Sequence, residues 1–123
     1  MAVILIVDDD RSVLDTFRRM LDLEGHEVVT ALDTEAALHE LERAQPDAIL
    51  LDLRMPVESG IAFLRRLRAQ EGSRRTPVAI ITGDYFARES LGEELRELQA
   101  SVYYKPVWLA DLIAIVQQLL EGS

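Results

Sequence analysis

The sequence predicts an α/β domain of (βα)5 form: a five-stranded parallel sheet, doubly wound, with helices on both faces. Three observations predict it. Five apolar runs read as strands, and the longest lack the in–out alternation of a sheet with one wet face, so both faces are covered. Segments with apolar residues at helical spacing separate these runs. The residues able to do chemistry fall where strands end.

The elements follow in order. "AVILIV" (2–7) is an unbroken apolar strand, and "RSVLDTFRRMLDLEG" carries Val13, Leu14, Phe17, Met20 and Leu21 at helical spacing, with Gly25 as a stop. "HEVVTA" is a short second strand. "DTEAALHELERAQP" reads as a helix capped by Asp33 or Thr34 and ended by Pro46. "DAILLDL" (47–53) is the third strand, and the helix in "SGIAFLRRLRAQEG" lines up Ile61, Leu64 and Leu67. "TPVAIITG" (76–83) is the fourth strand. A weaker helix lies in "FARESLGEELRELQ", with Gly92 expected to interrupt it. "SVYY" is the fifth strand, and the chain closes on an amphipathic helix carrying Leu109, Leu112, Ile113, Val116, Leu119 and Leu120.

The 123 residues amount to one domain, 1–123, large enough for a real core. No apolar stretch approaches the ~18 residues of a membrane span. The start lacks the basic segment and cleavage site of a secretion signal, so the cytoplasm is the expected compartment. Cysteine is absent, which excludes disulfides and thiolate metal sites. A formal net charge of −9 repels nucleic-acid phosphates, so direct binding of DNA or RNA is not expected. The two histidines, His26 in the "EGHEV" turn and His39 on a helix surface, fall away from the strand exits.

Right-handed crossovers place every strand exit on one edge, the edge where such sheets bind ligands. Strand one exits into Asp8, Asp9 and Asp10, strand three into Asp52, strand four into Thr82 and strand five into Lys105. Taken singly, each has an ordinary use: a turn-forming or capping Asp, a solvated Lys, a strand-end Thr. Their convergence on one edge is what points to chemistry. At ~4 Å and an effective dielectric of ~20, each carboxylate pair repels by about 4 kcal/mol. A cation must offset that. Hard oxygen ligands without His or Cys suit Mg2+, or Mn2+ as a surrogate. Magnesium takes one or two carboxylates plus phosphate oxygens, so the cluster also predicts a phosphate visitor, neutralised by Lys105 and hydrogen-bonded by Thr82. Asp52, ionised at neutral pH, is a nucleophile that needs no general base.

With "ILIVDDD", "ILLDLRMPVESG", "VAIITG" and "YYKP" at these spacings, the chain resembles the receiver domain of two-component response regulators along its whole length. The resemblance implies the flavodoxin-like strand order 2-1-3-4-5 of the chemotaxis regulators. It implies Asp52 as phosphoacceptor, Asp8 and Asp9 as the acid pair holding Mg2+, and the backbone carbonyl of Arg54 as a further ligand. Thr82 and Lys105 match the family's hydroxyl and lysine, and Pro56 and Gly60 match the loop after the acceptor. Asp10 gains no metal role and suits an N-cap for the first helix. The implied donor is a histidine kinase, a phosphotransfer protein or a small acyl phosphate. The readout is the surface of helix four, strand five and helix five, serving an effector domain or a second copy. The domain is then a switch that assists its own phosphorylation and dephosphorylation, not a turnover enzyme.

The chain departs from the family pattern in three places. Val102 stands where an aromatic is usual, and Tyr103 and Tyr104 follow it. Arg54 and Asp84 flank the site, where an ion pair across its mouth would slow the access of water. Trp108, a poor cap, opens the last helix, and with Tyr104 it is expected to form an exposed aromatic patch. Two other readings stay open. "VDDDRSV" also fits the nucleophile motif of haloacid-dehalogenase-like phosphatases, with Asp8 attacking and Asp10 as general acid. A degenerate receiver used only for docking is the other. A flavin module is disfavoured, because three acidic groups after strand one repel a cofactor phosphate.

Overall fold

Strand side chains alternate between faces, so a run that is apolar at every position supplies two core layers at once. The computed structural model describes residues 2–55 and 57–122. Its elements run β1 (Val3–Val7), α1 (Arg11–Leu23), β2 (Glu27–Ala31), α2 (Thr34–Ala44), β3 (Ala48–Leu51), α3 (Gly60–Ala69), β4 (Val78–Thr82), α4 (Ala87–Glu97), β5 (Ala100–Tyr104) and α5 (Leu109–Glu121). All strands are parallel, in the order β2-β1-β3-β4-β5.

One layer joins Leu5, Val7, Ile49, Leu51, Val78 and Ile80 to α2, α3 and α4, through Ala37, Phe63, Leu64, Leu67, Ala87 and Leu95. The other joins Ile4, Ile6, Ala48, Leu50, Ala79 and Ile81 to α1 and α5, through Leu14, Phe17, Leu21, Leu112, Ile115 and Val116. Each central strand thus feeds both layers in strict alternation, as a sheet covered on both faces requires.

The helices following β1, β2 and β3 begin on their own side-chain caps. Asp10 accepts from the Ser12 N–H at 2.9 Å, Asp33 from Ala36 at 2.8 Å and Ser59 from Ala62 at 3.3 Å. Helix α2 ends at Gln45, in the left-handed region at φ 48°, before Pro46 can break it. Helix α4 starts at Phe86 without a side-chain cap of its own. At α5 only the reverse contact is made: Asp111 accepts from the Trp108 N–H at 3.3 Å.

Three expectations need correction. Helix α4 runs unbroken through Gly92, because Leu91 and Leu95 pack on the sheet and hold the turns on either side of it. Helix α5 buries Ile115 with Leu112 and Val116, whereas Leu109, in its first turn, is 43% exposed. In α3, Phe63 joins Leu64 and Leu67 in the core while Ile61 is only partly buried.

Candidate functional site: an acidic pocket at the strand exits

The residues at the site are placed by the sheet itself. The backbone ladder continues one residue beyond β1, β3 and β5. The Asp8 N–H donates to the Ala31 carbonyl at 3.1 Å, the Asp52 N–H to Val7 at 3.0 Å and the Lys105 N–H to Thr82 at 2.9 Å. Asp8, Asp52 and Lys105 are therefore fixed by strand register before any side chain interacts.

Around that frame the side chains converge. The carboxylates of Asp8, Asp9 and Asp52 each bring an oxygen within 4.8 Å of the others. Asp8 and Asp52 are buried, at 3% and 6% exposure, while Asp9 faces solvent. Lys105 Nζ lies 2.7 Å from Asp8 Oδ2 and 3.3 Å from Asp52 Oδ2. The remaining Asp8 oxygen accepts from the Asp10 N–H at 2.9 Å, and Asp52 Oδ1 accepts from the Arg54 N–H at 3.3 Å. The set fits a hard divalent cation: three carboxylates, with no His or Cys in the group among the described residues, and one exposed member facing the solvent from which an ion arrives.

Electrostatics agree with geometry. Burial pushes the Asp8 carboxyl above its ordinary value, and its hydrogen bond from Lys105 only partly opposes that. Burial also disfavours the Lys105 ammonium, but its bonds and charge interactions with Asp8 and Asp52 outweigh this and hold it above its ordinary value. Lys105 pairs with Asp8 and Asp52, so one ammonium faces a cluster of three acidic groups and the pocket suits a further cation.

The fully buried Thr82 accepts from the Asp84 N–H at 3.1 Å, and no hydrogen bond joins it to Asp52 among the described residues. Gly60 is required by space. A Cβ there would sit 2.2 Å from the Asp52 carbonyl oxygen and 2.7 Å from Leu53 Cα. Pro56, matched by sequence to the same loop, lies outside the described residues. Its neighbour Val57 is fully exposed at φ +69°, a conformation costly for a β-branched residue and one that no local spacing announced.

The flanking residues divide. Arg54 Nη2 and Asp84 Oδ1 are 3.9 Å apart, as expected for a pair across the mouth. Asp10, by contrast, has its Oδ1 occupied by the Ser12 N–H and hydroxyl. The partner of Tyr104 is not Trp108 but Tyr85, with ring centroids 5.9 Å apart. Trp108 stays 69% exposed with no ring contact to Tyr104 among the described residues. Tyr103 turns to the opposite face of the sheet, its hydroxyl 3.2 Å from Gln118 Oε1. His26 lies at the far edge of the sheet, its Nδ1 buried with no hydrogen-bond partner among the described residues.

A parallel sheet of this order with an Asp, Thr and Lys constellation at its strand exits has the form of a receiver-type signalling domain, and comparison with known proteins places the chain in that class. The profile of the response regulator receiver domain family matches residues 4–117, so the chain belongs to that family. It is 39% identical over 120 residues to the transcriptional regulatory protein PrrA of Mycobacterium leprae, covering 95% of this chain and 49% of that protein. It is 37% identical to the response regulator MprA of the same organism, covering 98% of this chain and 51% of that one. The chain thus spans about half the length of these curated relatives. Among solved structures, the chemotaxis protein CheY4 of Vibrio cholerae superposes with a TM-score of 0.89 at 30% identity, covering 98% of this chain and 99% of that one. The receiver domain of NtrX from Brucella abortus gives 0.85 at 29%, with the same coverage. The fold read from the sequence, including the order 2-1-3-4-5, is the fold found, and the chain is a receiver domain of two-component signal transduction. No helix among the described residues is long and apolar enough to cross a membrane.

Proposed function

We propose that this receiver, a single domain over 1–123, accepts a phosphoryl group on Asp52 and uses it to bias the α4–β5–α5 surface. One observation carries the reading: the Asp52 carboxylate sits among the acid pair with the Lys105 ammonium 3.3 Å away. An Asp52 oxygen attacks phosphorus, the bond from phosphorus to the donor's imidazole nitrogen or acyl oxygen breaks, and the electron pair leaves with the donor. The product is an acyl phosphate. Lys105 neutralises charge on the incoming group, and the Thr82 hydroxyl donates to it. Asp8, Asp9 and Asp52 would hold Mg2+ or Mn2+, with the Arg54 carbonyl as a ligand carried over from the family. Bound there, the ion supplies charge stabilisation for the transfer.

The donor is a histidine kinase, a phosphotransfer protein or a small acyl phosphate, and the compartment is the cytoplasm. An effector domain or a second copy of the chain reads the α4–β5–α5 surface; direct contact with nucleic acid or membrane is not part of this domain's role. The chain assists its own phosphorylation and dephosphorylation and does not turn over a substrate. The phosphatase reading is weakened by Asp10, whose carboxylate caps α1 and is not free as a general acid. The docking-only reading is weakened by the completeness of the set.

Mass mapping after acetyl phosphate and Mg2+ tests this. One phosphoryl group on Asp52, lost in Asp52→Asn, is the expected result. Label on Asp8 would transfer the case to the phosphatase reading, and no label to the docking-only one.

A further inference from the structure

The first turn of an α-helix leaves N–H groups that something must satisfy. In α4 the Ala87 N–H donates to the Asp84 carbonyl and the Glu89 N–H to the Phe86 carbonyl, both at 3.1 Å and both local. The Arg88 N–H donates instead to the Tyr104 hydroxyl, 3.1 Å away and sixteen residues along the chain. Helix α4 therefore borrows its cap from β5.

The same tyrosine is clasped from two sides. The Arg88 guanidinium lies 5.2 Å from its ring centroid and donates to the Val102 carbonyl at 2.7 Å. Tyr85 packs against the ring and donates its hydroxyl to the Lys105 carbonyl at 3.2 Å. At the other end of the entry loop, the Asp84 N–H donates to Thr82, and the Asp84 carboxylate accepts from the Phe86 N–H at 3.1 Å. The start of α4 is thus suspended between two residues of the site, Thr82 on one side and Lys105 on the other.

We propose that Tyr104 is the positioning residue that couples the site to α4, its hydroxyl serving as a removable cap on the helix. This rests on the phosphoacceptor reading above and adds the element through which the mark is transmitted. Tyr104 is bonded directly to Lys105, so any displacement of the end of β5 moves its hydroxyl relative to Arg88. Val102 lies two residues earlier on the same face; its carbonyl accepts from the Arg88 guanidinium, but its side chain has no polar group to cap the helix. The two arrangements, capped and uncapped, form the two-state element that a coupling claim requires. In the resting protein the cap is made. A phosphoryl group on Asp52 draws Thr82 and Lys105 inward, takes the hydroxyl off Arg88 and loosens the first turn of α4.

Hydrogen exchange of the α4 amides, resolved by residue, tests the coupling in the full chain. Tyr104→Phe keeps the ring and its cation–π contact and removes only the cap. Loss of a cap corresponds to about five-fold faster exchange at Arg88. Acetyl phosphate with Mg2+ should accelerate the same amide in the parent and in Val102→Ala, and add nothing in Tyr104→Phe, with mass mapping showing equal label on Asp52 in all three. A full phosphorylation response in Tyr104→Phe overturns the proposal, as does its loss in Val102→Ala. If Asp52 takes no label, the functional reading fails but the coupling is still testable. Lys105→Met should then alter exchange at Arg88 in the parent and leave it unchanged in the Tyr104→Phe background. Equal changes in both backgrounds would rule the coupling out.

Discussion

The two sides of the sheet hold their helices differently. After β1, β2 and β3, each helix starts on a cap from its own chain neighbourhood: Asp10, Asp33 and Ser59. After β4 and β5, neither helix has a side-chain cap of that kind, and α4 relies on Tyr104 from another strand. The first side carries the acid pair and Asp52; the second carries Thr82 and Lys105. On the proposed function a nucleophile and its metal ligands must stand still, and the backbone bonds of Asp8 to Ala31 and of Asp52 to Val7 hold them. In the same reading, groups that respond to a new phosphoryl must be able to shift, and the long-range contact of Arg88 with Tyr104 can be released without breaking a bond within either element.

Two glycines give the sharpest way to break this comparison. Gly60 starts α3 on the fixed side, where an added methyl meets backbone. Gly60→Ala should cost about 3 kcal/mol or more in urea unfolding, and should lower the rate of labelling by acetyl phosphate because the displaced atoms belong to Asp52 and Leu53. Gly92, mid-helix in α4, has nothing within 4 Å of its would-be Cβ. Gly92→Ala should stabilise by about 0.5–1 kcal/mol and leave labelling unchanged. Equal effects at the two positions would erase the distinction.

A pH experiment sharpens the description of the fixed side. The Asp8 carboxyl is raised above its ordinary value by burial, so the folded state favours its protonated form. The stability this contributes is present below the ordinary carboxylate range and lost as pH rises through the raised value. Without Mg2+, Asp8→Asn should therefore gain on the parent from acid toward neutral pH in paired thermal melts. With Mg2+ the parent alone should be stabilised. A difference between the two that stays flat with pH would show that Asp8 ionises in the fold as easily as out of it.

The smallest expected effect is at the mouth. Arg54 is largely exposed, so its 3.9 Å contact with Asp84 is a weak pair. Arg54→Ala should speed loss of the phosphoryl group by about two- to five-fold, an effect that shrinks in high salt. Decay matching the parent at low salt would leave the pair without a gating role.

How much of this could be read beforehand follows from the range of each interaction. The strands and the positions of Asp8, Asp9, Asp52, Thr82 and Lys105 were legible because apolar runs mark buried strands and the chemistry falls at their exits. Asp10 was legible as a cap, and the cap of α2 as either Asp33 or Thr34, because a cap bonds within three residues. Gly92 misled because a propensity cost of about 1 kcal/mol is readily outweighed when Leu91 and Leu95 pack on either side. Leu109 misled because it shares the spacing of Leu112 and Val116, and spacing alone does not tell that a first-turn residue stays 43% exposed. The partnership of Tyr104 with Tyr85 and Arg88 spans 16 to 19 residues and leaves no local pattern.

The bonds that extend the ladder past β1, β3 and β5 have a consequence for the life of the molecule. Because Asp8, Asp52 and Lys105 hang from the last carbonyls of Ala31, Val7 and Thr82, no half-assembled sheet can display the pocket. A slip of one residue between β1 and β3 would turn Asp52 toward a helix layer and carry a leucine to the mouth. If the proposed function holds, nascent or damaged copies of the chain are thereby mute: without the assembled pocket a donor finds nothing to charge.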